Sequence, residues 1–143
     1  MILRPLLRLA YSLAMRTGMV KSLRVFFPLW SASDAIYIGP AGPGATIHTE
    51  LIALRRIVAN TSISDAEIHR HLSHPNPWVV GYCFEALVAR RSALLKNLPA
   101  SLLSRTESVC EGFTCLRFYQ PLSEYVRGHL QAKGLGAPHG SSC

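Results

Sequence analysis

The stretch His74-Pro75-Asn76-Pro77-Trp78-Val79-Val80-Gly81-Tyr82-Cys83-Phe84-Glu85-Ala86-Leu87-Val88-Ala89 constrains the fold more than any other part of the chain. Asn76 and Pro77 supply an N-cap and a first-turn proline, and Pro75 stops any preceding helix from running on. From Trp78 to Ala89 the only charged residue is Glu85. A helix with so little polar surface has no face to offer water and must be covered on more than one side. Gly81 inside it costs roughly 1 kcal/mol of helix propensity. Close approach of a neighbouring helix would explain that cost.

The remaining sequence supplies candidates for the covering elements. Thr46 can cap a helix running to Asn60, with Ile47, Leu51, Leu54 and Val58 as its apolar stripe. Ser64-Asp65-Ala66-Glu67 has the form of a capping box and predicts a short helix through Leu72. A further helix is expected from about Pro99 to Cys110, then an extended or loop stretch over Gly112–Pro121, and a last helix from Leu122 to about Lys133. With 143 residues, 49% apolar and 16% charged, there is material for one domain with one core.

Leu51-Ile52-Ala53-Leu54 falls over Phe84-Glu85-Ala86-Leu87 at an offset of 33 residues, and Ile63 and Ile68 fall over Leu98 and Leu103 at an offset of 35. Helix pairs recurring at such a spacing build α-solenoids. The run "LSHPNPWVVGYCFEALV" resembles the signature of a HEAT-type repeat: a leucine closes one helix, an Asn-Pro turn opens the next, and that helix carries a buried valine and an Ala-Leu pair. The resemblance covers about residues 46–104. It implies a right-handed stack of antiparallel helix pairs whose concave face binds another macromolecule. The expected architecture is therefore all-α, a short right-handed α-solenoid of HEAT-like helix pairs over 46–133. A basic amphipathic arm (1–30) and a Gly/Pro linker (31–45) precede it, and a flexible tail (134–143) follows.

The arm places Arg4, Arg8, Ser12 and Arg16 at successive i+4 positions, so a helix starting near Pro5 carries one polar stripe surrounded by leucine and alanine. It is too short and too charged to span a bilayer, which takes about 20 mostly apolar residues. It suits a terminal helix packed on the core or an Arg-rich removable targeting peptide. It also suits an interfacial membrane helix, with Arg4, Arg8 and Arg16 joined at the headgroups by Phe26, Phe27 and Trp30.

The net charge is +7, from 15 Lys+Arg against 8 Asp+Glu, and residues 1–33 hold five basic residues and no acidic one. Elsewhere there is no basic block interleaved with aromatics, which argues against nucleic acid. Gly39, Gly44 and Thr46 have the spacing of a phosphate-binding loop. Ala45 stands where such a loop needs lysine, and Pro40 and Pro43 lack the N–H groups that would face phosphate, so a hinge is expected and not a nucleotide site. His69 and His71 point about 200° apart on a helix and cannot share an ion; Glu67 with His71 and His71 with His74 are feasible pairs at i+4 and i+3, but surface histidines lining one edge of a repeat face are expected and no metal is assigned. Cys83 is expected to be buried, Ser101, Ser104 and Ser108 sit in no nucleophile elbow, and neither catalysis nor a cofactor is expected. Cys83, Cys110, Cys115 and Cys143 are too few and too irregular for a disulfide scaffold, which suits a reducing intracellular compartment. The functional expectation is a non-catalytic scaffold binding a partly acidic protein partner through Arg55, Arg56, His69, Arg70, Arg90 and Arg91. The alternative is a membrane-surface or organelle-targeted accessory protein acting through its arm.

Overall fold

The computed structural model describes residues 3–16, 22–42, 44–112 and 117–135. Its main elements are six α-helices: α1 (Leu3–Arg16), α2 (Phe27–Ser31), α3 (Thr49–Ala59), α4 (Asp65–Arg70), α5 (Pro77–Ala89) and α6 (Leu122–Ala132). Short 3-10 turns occupy Leu23–Phe26, His71–Ser73, Ala93–Asn97 and Leu102–Ser104. Strands β1 (Ser108–Cys110) and β2 (Tyr119–Pro121) pair antiparallel, with Val109 opposite Gln120. The protein is mainly helical, with this small ribbon beside the helices. Among the described residues no helix is long and apolar enough to cross a membrane.

Helix α5 is the axis of the core. The caps read from its sequence form, since the Asn76 carboxamide oxygen accepts from the N–H groups of Trp78 and Val79 at 2.9 and 3.3 Å. Every residue from Val79 to Val88 is buried, because α2, α3, α4, α6, β1 and the His71–Ser73 turn all pack against this one helix. The Ser64 hydroxyl accepts from the Glu67 N–H at 3.1 Å and opens α4 as expected.

The close neighbour of Gly81 is not a helix. A Cβ at this position would overlap Ile36 Cδ1, which belongs to the segment expected to be a Gly/Pro linker. That expectation is corrected, because Ser33, Ala35, Ile36 and Tyr37 are buried. The Ile36 N–H donates to Cys110 O at 2.8 Å, and the Gly112 N–H donates to Ile36 O at 2.9 Å, so the segment lies parallel beside β1. Tyr82 ties it to α5: its hydroxyl donates to Ala35 O at 2.8 Å and accepts from the Tyr37 N–H at 3.0 Å. Apolar side chains and a buried phenol outweigh the loop-like composition of the stretch.

Within the "GPAGPGAT" run, Ala41 and Thr46 are bridged antiparallel. Gly42, Gly44 and Ala45 take left-handed φ of 78°, 75° and 51°, and Thr46 pairs back to Ala41, whose N–H donates to Thr46 O at 3.0 Å. Thr46 is thereby occupied away from the helix start, and α3 begins two residues later than expected, with His48 at its N-cap position. The helix expected over Pro99–Cys110 is also replaced, by a 3-10 turn and β1. Arg105 explains the break, because its guanidinium reaches back to His74 O and Pro75 O at 2.5 and 2.8 Å and draws the chain out of helical path.

The arm is part of the body, with α1 packed on α2 and α3. The expected stripe exists, but Arg4 and Arg8 face inward. Arg4 pairs with Asp34, and Arg8 Nε donates to Glu50 Oε1 at 3.0 Å. The leucines face outward, with Leu3, Leu6, Leu9 and Leu13 exposed by 54–69%. Phe26 and Trp30 are buried in the core, where Trp30 stacks on Tyr82 at 5.1 Å, so neither can seat at a headgroup boundary. Phe27 is half-buried and meets the edges of His71 and His74 at 4.8 and 5.2 Å. Of the six residues expected at a membrane, only Arg16 is left exposed and unpaired among the described residues.

Candidate interaction groove

Helix α3 carries its apolar stripe against α5 and leaves two flanking depressions. One, of about 490 Å³, lies between Phe26 and the Arg55–Arg56 side of α3. The other, of about 610 Å³, lies where the C-terminal ends of α3, α5 and α6 converge. Leu51, Leu54, Val58 and Val88 line the second groove as its apolar floor, and Arg55, Arg91 and Lys133 line it as charged residues. All three cations are exposed, and none makes an ion pair among the described residues.

Backbone geometry singles out Arg91. It follows the C-terminus of α5 with φ 50°, and Ser92 N–H closes the helix end on Leu87 O at 3.0 Å. This left-handed position ordinarily favours glycine, and a side chain there costs roughly 1 kcal/mol.

Glu85 sits at one end of the groove, and Tyr125 Oη donates to its Oε1 at 2.7 Å. His129 reaches the same carboxylate from α6, its Nε2 lying 3.6 Å from Glu85 Oε1 and 3.4 Å from Glu111 Oε2. Its Nδ1 lies 3.1 Å from Tyr125 O, which orients the ring so that Nε2 faces the two carboxylates. Burial raises the Glu85 pKa above the ordinary carboxylate value. Burial alone would lower His129, but the bond to Glu111 and the charge of Glu85 outweigh it and hold the imidazole above its ordinary value. The cluster joins α5, α6 and the end of β1 into one wall.

The residues expected as a contact surface do not lie together. Arg55 and Arg91 share the groove, and Arg56 lines the neighbouring depression. His69 is half-buried, its Nε2 lying 2.8 Å from Asn97 O, while Arg70 is exposed on α4. Arg90 is corrected to an internal role. Its guanidinium donates to Ile57 O, Asn60 O and Ile63 O at 2.5, 2.7 and 2.6 Å and pairs with Asp65 at 3.0 Å. It holds the α3–α4 connection to the end of α5. Lys133 and His129 were missed as groove residues because α6 approaches α3 only in the folded chain, and the only local signal was a basic residue in the last turn of an amphipathic helix.

No family model, no curated protein and no solved structure matches this chain.

Proposed function

We propose that the protein is a non-catalytic interaction module, and that the groove between α3, α5 and α6 takes an acidic amphipathic segment of a protein partner. The observation that carries this reading is the set of unpaired cations, Arg55, Arg91 and Lys133, at the margin of an apolar floor. Such a surface complements a segment with apolar residues on one face and carboxylates at its edges. Rim charges of this kind speed encounter and select against basic partners, while affinity comes from the apolar anchors.

The HEAT-like reading belongs to the same proposal. The α4–α5 pair, joined at the Asn76–Pro77 turn, serves as the repeat unit, with α3 as the second helix of a preceding, less regular unit. In that arrangement the groove lies beside the repeat and not on a long concave face.

The test is a photo-crosslinking amino acid placed at Val58, half-buried on the groove floor, in the full chain expressed in its own cells, with the exposed Ala100 as control. The expected result is an adduct at Val58, absent at Ala100, whose cross-linked peptide is rich in Asp and Glu and contains apolar anchors, and which Arg55→Glu with Arg91→Glu abolishes. Equal labelling at both positions, or adducts unaffected by the charge reversals, would remove the groove as the binding element.

A further inference from the structure

The outward face of α1 has no role in the fold. On a helical wheel Leu9, Leu13, Leu6, Ala10 and Leu3 follow one another over about 120°, the width of stripe that a surface helix ordinarily turns toward its core. Here that stripe faces solvent, with leucine exposures of 69% at Leu3, 57% at Leu6, 59% at Leu9 and 54% at Leu13. The helix cannot roll to hide it. Arg4 and Arg8 are pinned to Asp34 and Glu50 on the opposite side, Tyr11 Oη donates to Val25 O at 2.5 Å, and Met15 is buried.

We propose that this leucine face docks the protein onto an anionic lipid surface, with α1 lying in the plane of the interface. Charge selects that occupant over a second copy of the chain. Arg4 and Arg8 are already neutralised by Asp34 and Glu50, and Leu3–Arg16 contains no acidic residue, so a second copy of α1 offers no carboxylate to the unpaired Arg16. Arg16 is exposed, has no ion-pair partner among the described residues and falls about 20° from Leu9 on the wheel, which sets a cation at the border of the apolar stripe. Composition selects lipid over a protein groove. The face offers leucine, alanine and proline, without the aromatic, methionine or hydrogen-bonding groups that give protein interfaces their specificity. A bilayer asks only for apolar depth and cationic flanks.

This differs from insertion through Phe26 and Trp30, which the core holds, and from headgroup contact by Arg4 and Arg8, which face inward. It is also independent of the groove, whose cations Arg55, Arg91 and Lys133 belong to α3 and to the ends of α5 and α6.

The experiment is co-sedimentation of the full chain with phosphatidylcholine vesicles made with and without phosphatidylglycerol, alongside Leu6→Glu/Leu13→Glu and Arg55→Glu/Arg91→Glu. Partitioning onto the anionic vesicles should exceed that onto neutral ones by about tenfold, and should weaken as salt rises. It should fall by at least about tenfold in the leucine variant, whose thermal midpoint stays that of the parent because both side chains are exposed. The groove variant should keep most of its binding. Unchanged partitioning of the leucine variant, or loss only in the groove variant, would overturn the proposal. So would a dimer in light scattering that the leucine substitutions dissociate.

Discussion

Arg8 Nε donates to Oε1 of Glu50 across 3.0 Å, and the Glu50 side chain has no exposed surface. The pair fastens α1 to α3 by a charge that has no other route to water. Arg4 reinforces it through Asp34, which also accepts from the Tyr37 hydroxyl at 2.7 Å and from Arg117 at 2.9 Å. That donor set outweighs burial and holds the Asp34 carboxyl well below the ordinary carboxylate range. Asp34 therefore stays ionised in the fold and contributes stability that is lost only as pH falls below that range.

Removing Arg8 leaves the buried Glu50 carboxylate with only the more distant Arg4, 3.6 Å away. Arg8→Ala should cost about 3 kcal/mol, whereas Arg8→Met combined with Glu50→Gln should recover most of it, because no charge is then stranded. Urea titrations of the parent, the single variant and the double variant measure the coupling. Additive losses would show that the pair does not act as a unit.

At Gly81, alanine is the better helix former by roughly 1 kcal/mol. Gly81→Ala should nevertheless destabilise by about 1–3 kcal/mol, because its methyl group meets Ile36 in a filled core. Adding Ile36→Val should restore part of the loss. A melting temperature that rises in Gly81→Ala alone would contradict the packing of Ile36 against α5.

Adjacent arginines should behave oppositely. Arg90→Ala frees three carbonyls and Asp65 and should cost about 2–4 kcal/mol. Arg91→Gly relieves a left-handed backbone and should add up to about 1 kcal/mol of stability. In the same variant, crosslinking at Val58 should weaken. Denaturation midpoints of the two variants moving in the same direction would refute the assignment.

Glu85 and His129 both bind protons more tightly in the fold than in the unfolded chain. Each therefore contributes a stability that falls as pH rises: Glu85 above the ordinary carboxylate value of 4.5, His129 above the ordinary imidazole value of 6.5. His48, His71 and His74 act in the other sense, since burial lowers their values and their folded neutral forms gain as pH approaches 6.5. The comparison that isolates the cluster is the parent against His129→Asn, followed by chemical denaturation from about pH 6 to about pH 9. The parent's advantage should shrink across that range. A difference independent of pH would mean that the imidazole is not held protonated by Glu85 and Glu111.

Elements whose boundaries are set by local chemistry were legible. Asn76 with Pro77, Ser64 with Glu67 and Leu122 at the start of α6 all open helices where the sequence places them, because a cap or a proline acts within one turn. The groove was legible only in part. Arg55 and Arg91 stood out as charges, but nothing local distinguishes Arg91 from Arg90. One side chain points across to three carbonyls contributed by residues 57–63, and its neighbour points to solvent.

By itself, the sequence determined that α5 would be the buried centre, since a helix with one charge in twelve residues has no stable place except under other elements. It also determined that α1 would be amphipathic. Which face of α1 turns inward was decided by tertiary structure alone. Amphipathic periodicity is symmetric under that choice, and the balance was tipped by Asp34 and Glu50, 30 and 42 residues away in the chain, which receive the arginines. Tertiary contact likewise put Ile36 against Gly81 and buried Ser33, Ala35, Tyr37 and Ala41. A composition of glycine, proline and small residues describes how freely a segment can bend, and only the surface it meets decides whether it is held.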